Sequence, residues 1–268
     1  MTLSLSWRTA LVVLFAATLQ LAGCGSTPND EFSGKTAEKL YAEAKDDMDS
    51  GGYERAIKAL ERVEGLAAGT LLAQQAQVDL AYLYWKTNEK AQALSTIERF
   101  IKLNPSSPAL DYALFLRGVI NFNDDLGLFS SVAGQDLSER DQRAARDAYQ
   151  AFKQLVEQFP VSKYSADARE RMDYIVNSLA NYEVHVARYY LRRGAYVAAA
   201  NRAQQAITEF QNSPAVEEAL YILVQSYDKL ELTALRDDAD RVLRKNFPDS
   251  RYLAVGLAAR KRPWWQLW

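Results

Sequence analysis

The side chains that could carry chemistry are few. Cys24 is the one cysteine of the chain and His185 the one histidine. A lone cysteine excludes an intrachain disulfide and a CxxC site. A lone histidine excludes a multi-histidine zinc site. No GxSxG elbow and no phosphate-cradling GxxxxGK[ST] loop occurs, and the single GxG is Gly23-Cys24-Gly25 in the N-terminal segment. Glu183 stands two residues from His185, on another helical face, so His185 reads as an ordinary helical residue. The acidic pairs Asp46-Asp47 and Asp237-Asp238 read as solvated faces or turns. The 268 residues carry 32 basic and 34 acidic side chains, a net charge of −2, and 49% are hydrophobic. That is a globular composition without an electrostatic basis for nucleic-acid binding. The expectation is a protein that is not an enzyme and that uses no metal and no cofactor.

Cys24 points to a different chemistry. Met1–Arg8 is a short segment with one positive residue, and the nearly apolar run from Ala10 to Leu21 follows it. The run is shorter than the roughly 20 residues that span a bilayer and has the length of a signal-peptide core. It ends in Leu21-Ala22-Gly23-Cys24, which resembles the lipobox of bacterial lipoproteins. The resemblance implies a signal peptide over 1–23, lipid attachment at Cys24 and contact with the membrane through that lipid. Gly25 rather than aspartate implies retention at the outer membrane. Residues 25–34 are mostly small and polar, and 24–36 reads as a flexible tether. The processed chain would have 31 basic and 34 acidic residues, a net charge of −3. No later stretch is apolar enough for a transmembrane helix.

From Ala37 onward the hydrophobic period is helical. Phe152, Leu155, Val156 and Phe159 fall at i, i+3, i+4 and i+7, and Leu220, Leu223, Val224 and Tyr227 repeat the pattern. The punctuation recurs too. Phe159-Pro160-Val161-Ser162-Lys163-Tyr164 is echoed by Phe247-Pro248-Asp249-Ser250-Arg251-Tyr252, with looser copies at Phe210 to Pro214 and Leu103 to Ser106. Gly52-Tyr53 and Gly194-Ala195-Tyr196 mark a second recurring turn, in which glycine ends one helix. Together these features resemble the tetratricopeptide repeat, a helical hairpin of about 34 residues. The fold expected is all-α, a tetratricopeptide-repeat-like solenoid of about five helix pairs. Repeats 1–3 are placed at 37–160 with an insertion at 121–143, repeats 4–5 at 161–252, and a basic, Trp-rich tail at 253–268. Stacked pairs of this kind present a groove for peptides or other domains.

Candidate binding residues follow from that architecture. Tyr41, Asp79, Tyr82 and Tyr84 are candidates for the groove, with inter-repeat packing as the alternative role for each tyrosine. Arg188-Tyr189-Tyr190-Leu191-Arg192-Arg193-Gly194, followed by Arg202, has the composition of a protein interface; the alternative is a basic helix end that offsets the macrodipole. Trp264, Trp265 and Trp268 stand beside Arg260, Lys261 and Arg262. They suit a membrane interface or a partner's aromatic pocket, the alternative being a cap on the last repeat.

A lipobox followed by five such repeats, with an insertion in the third, resembles the BamD family, formerly ComL. The strings that carry the likeness are Asp79-Leu80-Ala81-Tyr82-Leu83-Tyr84, Arg99 to Pro105, Asp111-Tyr112 with Arg117-Gly118, Tyr189-Tyr190 with Arg193 to Tyr196, and Asn201-Arg202. The resemblance covers about Cys24 to Tyr252. The resemblance implies a lipoprotein scaffold of the machine that assembles β-barrel proteins in the bacterial outer membrane, facing the periplasm. The partners it implies are a BamA-like barrel subunit, other lipoproteins of the machine and unfolded outer-membrane proteins. By the same resemblance Arg193 and Arg202 are docking candidates, joined by Tyr189 and Tyr190 of the same cluster, while Tyr82, Arg99 and Lys102 belong to the N-terminal half, which the resemblance implicates in substrate recognition. The alternative is a periplasmic repeat adaptor of another envelope complex, in cell division or peptidoglycan metabolism. The first repeat lacks the aromatic-proline stop, and the Trp-rich tail is not part of the family pattern.

Overall fold

The computed structural model describes residues 31–122 and 142–259. Cys24, nearly all of the expected insertion, and Trp264, Trp265 and Trp268 lie outside the described residues. Every regular element among those described is helical. The helices are α1 (Ala37–Ser50), α2 (Tyr53–Leu66), α3 (Leu71–Lys86), α4 (Lys90–Leu103), α5 (Leu110–Asn121), α6 (Gln142–Gln158), α7 (Ser165–Arg192), α8 (Tyr196–Glu209), α9 (Ala215–Lys229), α10 (Thr233–Asn246) and α11 (Arg251–Val255), with a 3-10 turn at Gly256–Ala259. The first ten form five consecutive pairs, the expected all-α, tetratricopeptide-repeat-like arrangement. The chain divides into two compact units, Met1–Leu80 and Ala81–Trp268, the division falling within α3.

Two turn designs recur, and each follows from backbone chemistry. Helices leave carbonyls unsatisfied at their C-termini. Within four pairs the first helix ends in a residue of positive φ: Gly51 (83°), Asn88 (65°), Gly194 (76°) and Glu231 (59°). Each donates its N–H to the carbonyl three residues back, and the next residue donates to the carbonyl five back, as in Gly194 to Leu191 and Ala195 to Tyr190. This is a Schellman closure, for which glycine is the easiest occupant. The glycine that closes α1 is Gly51, one residue before the expected Gly52, which instead opens α2.

Between pairs the design is different. Ser107, Ser162, Ser213 and Ser250 each donate their N–H to the residue that ends the preceding helix, namely Asn104, Phe159, Phe210 and Phe247. Each serine hydroxyl then accepts the N–H two residues on, at Ala109, Tyr164, Ala215 and Tyr252. A serine hydroxyl that satisfies an orphan amide starts the next helix. The first pair keeps the register with Thr70, whose N–H donates to Ala67 and whose hydroxyl accepts from Ala73.

In the second unit successive helices α4 to α10 pack on one another, and α7 also touches α9. The shared core includes Leu114, Phe152, Leu155, Ile175, Ala199, Ala203 and Ile222. Phe152 and Leu155 are fully buried, so the helical stripe read from the sequence does face inward. Small residues at Ala199, Ala203 and Ala206 let α8 approach its neighbours closely.

Candidate functional site

In the first unit α1 presents Tyr41, whose hydroxyl donates to Asp79 Oδ2 at 2.7 Å, with Lys45 Nζ 3.5 Å from the same oxygen. Burial, then the hydrogen bond to the Asp79 carboxylate, pushes the Tyr41 phenol well above its ordinary pKa. The structure thus brings two of the candidates together as an intramolecular pair. Nearby, Arg55 bonds Glu31 at 2.6 Å and Asp47 at 2.9 Å. Asp47, expected on a solvated face, is therefore half-buried and ion-paired, because α2 returns Arg55 against it. Asp237 is exposed as expected, although it too bonds an arginine, Arg236, at 2.8 Å. The hydrogen bond from Lys35 holds the Glu43 carboxyl below its usual range.

In the second unit Tyr82 packs against Trp85, with ring centroids 5.9 Å apart. Lys86 Nζ lies 5.6 Å from the Tyr82 ring and 5.0 Å from that of Trp85, within cation–π range. Tyr84 is half-buried, and Arg99 and Lys102 are exposed on α4.

The end of α7 carries the other cluster. Tyr189 is 46% exposed, packs edge-on to Tyr190 at 5.7 Å, and has the Arg193 guanidinium 5.4 Å from its ring centroid. Tyr190 leans into the core. Arg202, on α8, reaches back to α7 and donates to Glu183 Oε2 at 3.0 Å. The Glu183 side chain is 2% exposed, and that of Arg202 is 40% exposed. This hydrogen bond raises the Arg202 pKa further. Arg188 does not share the surface of its neighbours. It is buried and donates to Glu218 Oε1 at 2.6 Å, while Tyr252 donates to Glu218 Oε2 at 2.9 Å. The expected cluster of three arginines and two tyrosines is thus split between surface and interior.

Among the described residues no group of three His, Cys, Asp or Glu could hold a metal ion, and no helix is long and apolar enough to cross a membrane. The described geometry is a set of tyrosine, arginine and carboxylate contacts on helix faces. The sequence profile of YfiO, an outer membrane lipoprotein, matches residues 33–243. The outer membrane protein assembly factor BamD of Neisseria meningitidis serogroup B is 49% identical over 233 residues, 87% of each chain. The BamD of Vibrio cholerae is 33% identical, over 91% of this chain and 98% of its own. This chain belongs to the BamD family. Among solved structures, MamA aligns over 86% of this chain and all of its own, at 16% identity and a TM-score of 0.38.

Membership of the BamD family fits the strings that suggested it, yet several residues of these clusters went unread in the sequence. Glu183 and Glu218 were missed as the buried carboxylates that receive Arg202 and Arg188. Their signal is positional: Glu183 stands four residues from both Leu179 and Ala187, and Glu218 four before Ile222, on stripes that are otherwise buried. Trp85 and Lys86 were missed beside Tyr82, although Trp85 stands at i+3 from it.

Proposed function

We propose that this chain is a non-enzymatic scaffold of the outer-membrane β-barrel assembly machine. It is anchored by lipid on Cys24 to the outer membrane and faces the periplasm. It docks through Tyr189, Tyr190, Arg193 and Arg202 on a BamA-like barrel subunit, alongside other lipoproteins of the machine. Tyr41 and Asp79 in the first unit, and Tyr82, Tyr84, Arg99 and Lys102 in the second, are the residues that meet unfolded outer-membrane proteins. The observation that carries this reading is the 49% identity, over 87% of both chains, to a protein named as an outer membrane protein assembly factor. The exposed tyrosine with a guanidinium over its ring, at the end of a long helix, supports the docking assignment, since Tyr and Arg dominate interface energetics.

The test is affinity capture of the full-length protein from mildly solubilised outer membranes, with mass spectrometry of what accompanies it. A BamA-like barrel protein in stoichiometric amount is expected. Reproducible capture of cell-division or peptidoglycan proteins without any barrel protein would overturn the assignment. A Cys24→Ala form should leave the membrane fraction once the barrel partner is stripped away; retention there would remove the lipid anchor.

A further inference from the structure

One buried carboxylate in the second unit is shared by three helices. Glu218 of α9 is 9% exposed, yet both its oxygens are engaged. Arg188 of α7, itself buried, donates to Oε1 at 2.6 Å, and Tyr252 of α11 donates to Oε2 at 2.9 Å. Tyr252 is buried as well and stacks on Tyr221 of α9, with ring centroids 5.7 Å apart and the rings 26° from parallel. α11 has only five residues. Leu253, beside Tyr252, packs on a small core of Val216, Leu220 and Leu243. These two residues hold the short helix on α9.

The repeat shows that this arrangement is not packing alone. Tyr252 follows its capping serine, Ser250, by two residues, as Tyr164 follows Ser162. Each ring stacks on the first helix of the preceding pair, Tyr164 on Phe115 at 5.0 Å and Tyr252 on Tyr221. α11 thus stands where the first helix of a sixth pair would begin. Five residues after Ser107, α5 carries Tyr112, whose ring meets that of Tyr164 at 5.2 Å. Five residues after Ser213, α9 carries Glu218 instead. A ring would serve packing there. A carboxylate serves it poorly, since its burial costs free energy unless its oxygens are hydrogen-bonded. It does what a ring cannot, taking an arginine on one oxygen and a hydroxyl on the other.

We propose that Tyr252 is a positioning residue for partner docking: it holds the Glu218 carboxylate, Glu218 holds Arg188, and Arg188 fixes the end of α7 that presents Tyr189 and Arg193. This role rests on the docking function proposed for those two residues. Arg188 immediately precedes Tyr189, and the Arg193 guanidinium lies 5.4 Å from the Tyr189 ring centroid, so a shift of Arg188 reaches both. Without the Tyr252 hydroxyl, Glu218 Oε2 becomes a buried anionic oxygen with no donor. The carboxylate then turns toward water, and the Arg188 guanidinium follows it or loses its partner. α11 thereby sets a surface to which it contributes no side chain.

The test compares the full-length wild type, Tyr252→Phe and Ile222→Val for binding to the purified periplasmic region of a BamA-like barrel subunit. Ile222 is fully buried on the helix that carries Glu218, so its truncation lowers stability without touching the carboxylate. Tyr252→Phe should weaken binding about tenfold, the worth of one hydrogen bond to a charged group, while Ile222→Val should leave it unchanged. A second readout is the Arg188 Nε–H resonance, assigned by its loss in Arg188→Lys. Its proton should exchange with water about tenfold faster in Tyr252→Phe than in wild type. Glu218→Gln should bind as weakly as Tyr252→Phe, and the double variant no more weakly than either, because both changes act through one carboxylate. Additive losses overturn the proposal. So does equal binding by wild type and Tyr252→Phe, or an Arg188 resonance that the variant leaves unchanged. Wild type that binds no barrel region overturns the docking function itself, and this role with it.

Discussion

Replacing Arg202 is the obvious probe of docking, and the structure shows why it must be read with care. Arg202 is the partner of a carboxylate that is itself 2% exposed, while its own side chain is 40% exposed. Breaking a fully buried pair costs about 3–5 kcal/mol and an exposed one about 0–1 kcal/mol, so Arg202→Gln should cost about 1–2 kcal/mol. For a chain of this size that lowers Tm by about 2–8 °C. Arg202→Glu is worse. It sets a second carboxylate beside Glu183, a repulsion of about 4 kcal/mol at 4 Å before the new side chain swings into water. Loss of partner capture by Arg202→Glu would then report misfolding as readily as lost contact. The informative set is Arg202→Gln, Glu183→Gln and the double variant, followed by thermal unfolding and by capture of the barrel partner's periplasmic region. The double variant should recover about 1–2 kcal/mol relative to the summed single effects, the coupling of a half-buried pair. Glu183→Gln keeps the cation and should keep capture, whereas Arg202→Gln should lose it. Equal loss in both singles would mean that the pair only shapes α7 and α8 and that Arg202 makes no partner contact. An Arg202→Gln variant with unchanged Tm would refute the energetic reasoning itself.

Three further outcomes follow from the packing. Glu231 adopts the left-handed conformation at φ 59°, so Glu231→Gly should stabilise the last pair by about 1 kcal/mol in chemical denaturation; a loss of stability would show that its side chain matters more than its backbone. A Cβ at Gly118 would lie 2.3 Å from the ring of the fully buried Phe152. Overpacking costs about 1–3 kcal/mol against about 1 kcal/mol gained in helix propensity, so Gly118→Ala should destabilise, and adding Phe152→Leu should reduce the penalty. A stabilised single variant would show that the ring moves aside freely. Tyr41, Tyr221 and Tyr252 all have phenols raised above the ordinary value of 10.0, chiefly by burial. The folded state therefore favours their neutral forms. That contribution is complete below pH 10.0 and is lost as pH rises beyond it, so stability should fall on the alkaline side, less steeply in Tyr41→Phe.

The fold was legible because its punctuation repeats, though not every mark was the one that matters. Phe-Pro was the visible stop at Phe159 and Phe247. The constant element is the serine three residues after the helix end, which makes the same hydrogen bonds at Ser107, Ser162, Ser213 and Ser250 while the prolines shift. A hydroxyl that caps a helix looks in sequence like any loop serine. The left-handed closures were read only where glycine announced them, at the first and fourth pairs. Asn88 and Glu231 adopt the same conformation without glycine, 37 residues after Gly51 and Gly194 respectively. The repeat spacing carried that information when the residue type did not.

The candidate sites were less legible, because a charge on a helix is read as solvated unless its position on the stripe is weighed. Glu183 and Arg188 sit five residues apart on α7, both at buried positions, and each must find a counter-ion in the interior. Glu183 takes Arg202 from α8, and Arg188 takes Glu218 from α9. Such pairs add little net stability, but an unmatched register would leave a buried charge alone, at a cost of several kcal/mol. The two pairs therefore fix where α8 and α9 lie along the 28-residue α7. Tyr189 and Arg193 stand in the turn immediately after Arg188. Arg188 and Arg202, which looked like surface chemistry in the sequence, thus set through their buried ion pairs the geometry with which the exposed tyrosine and guanidinium are presented.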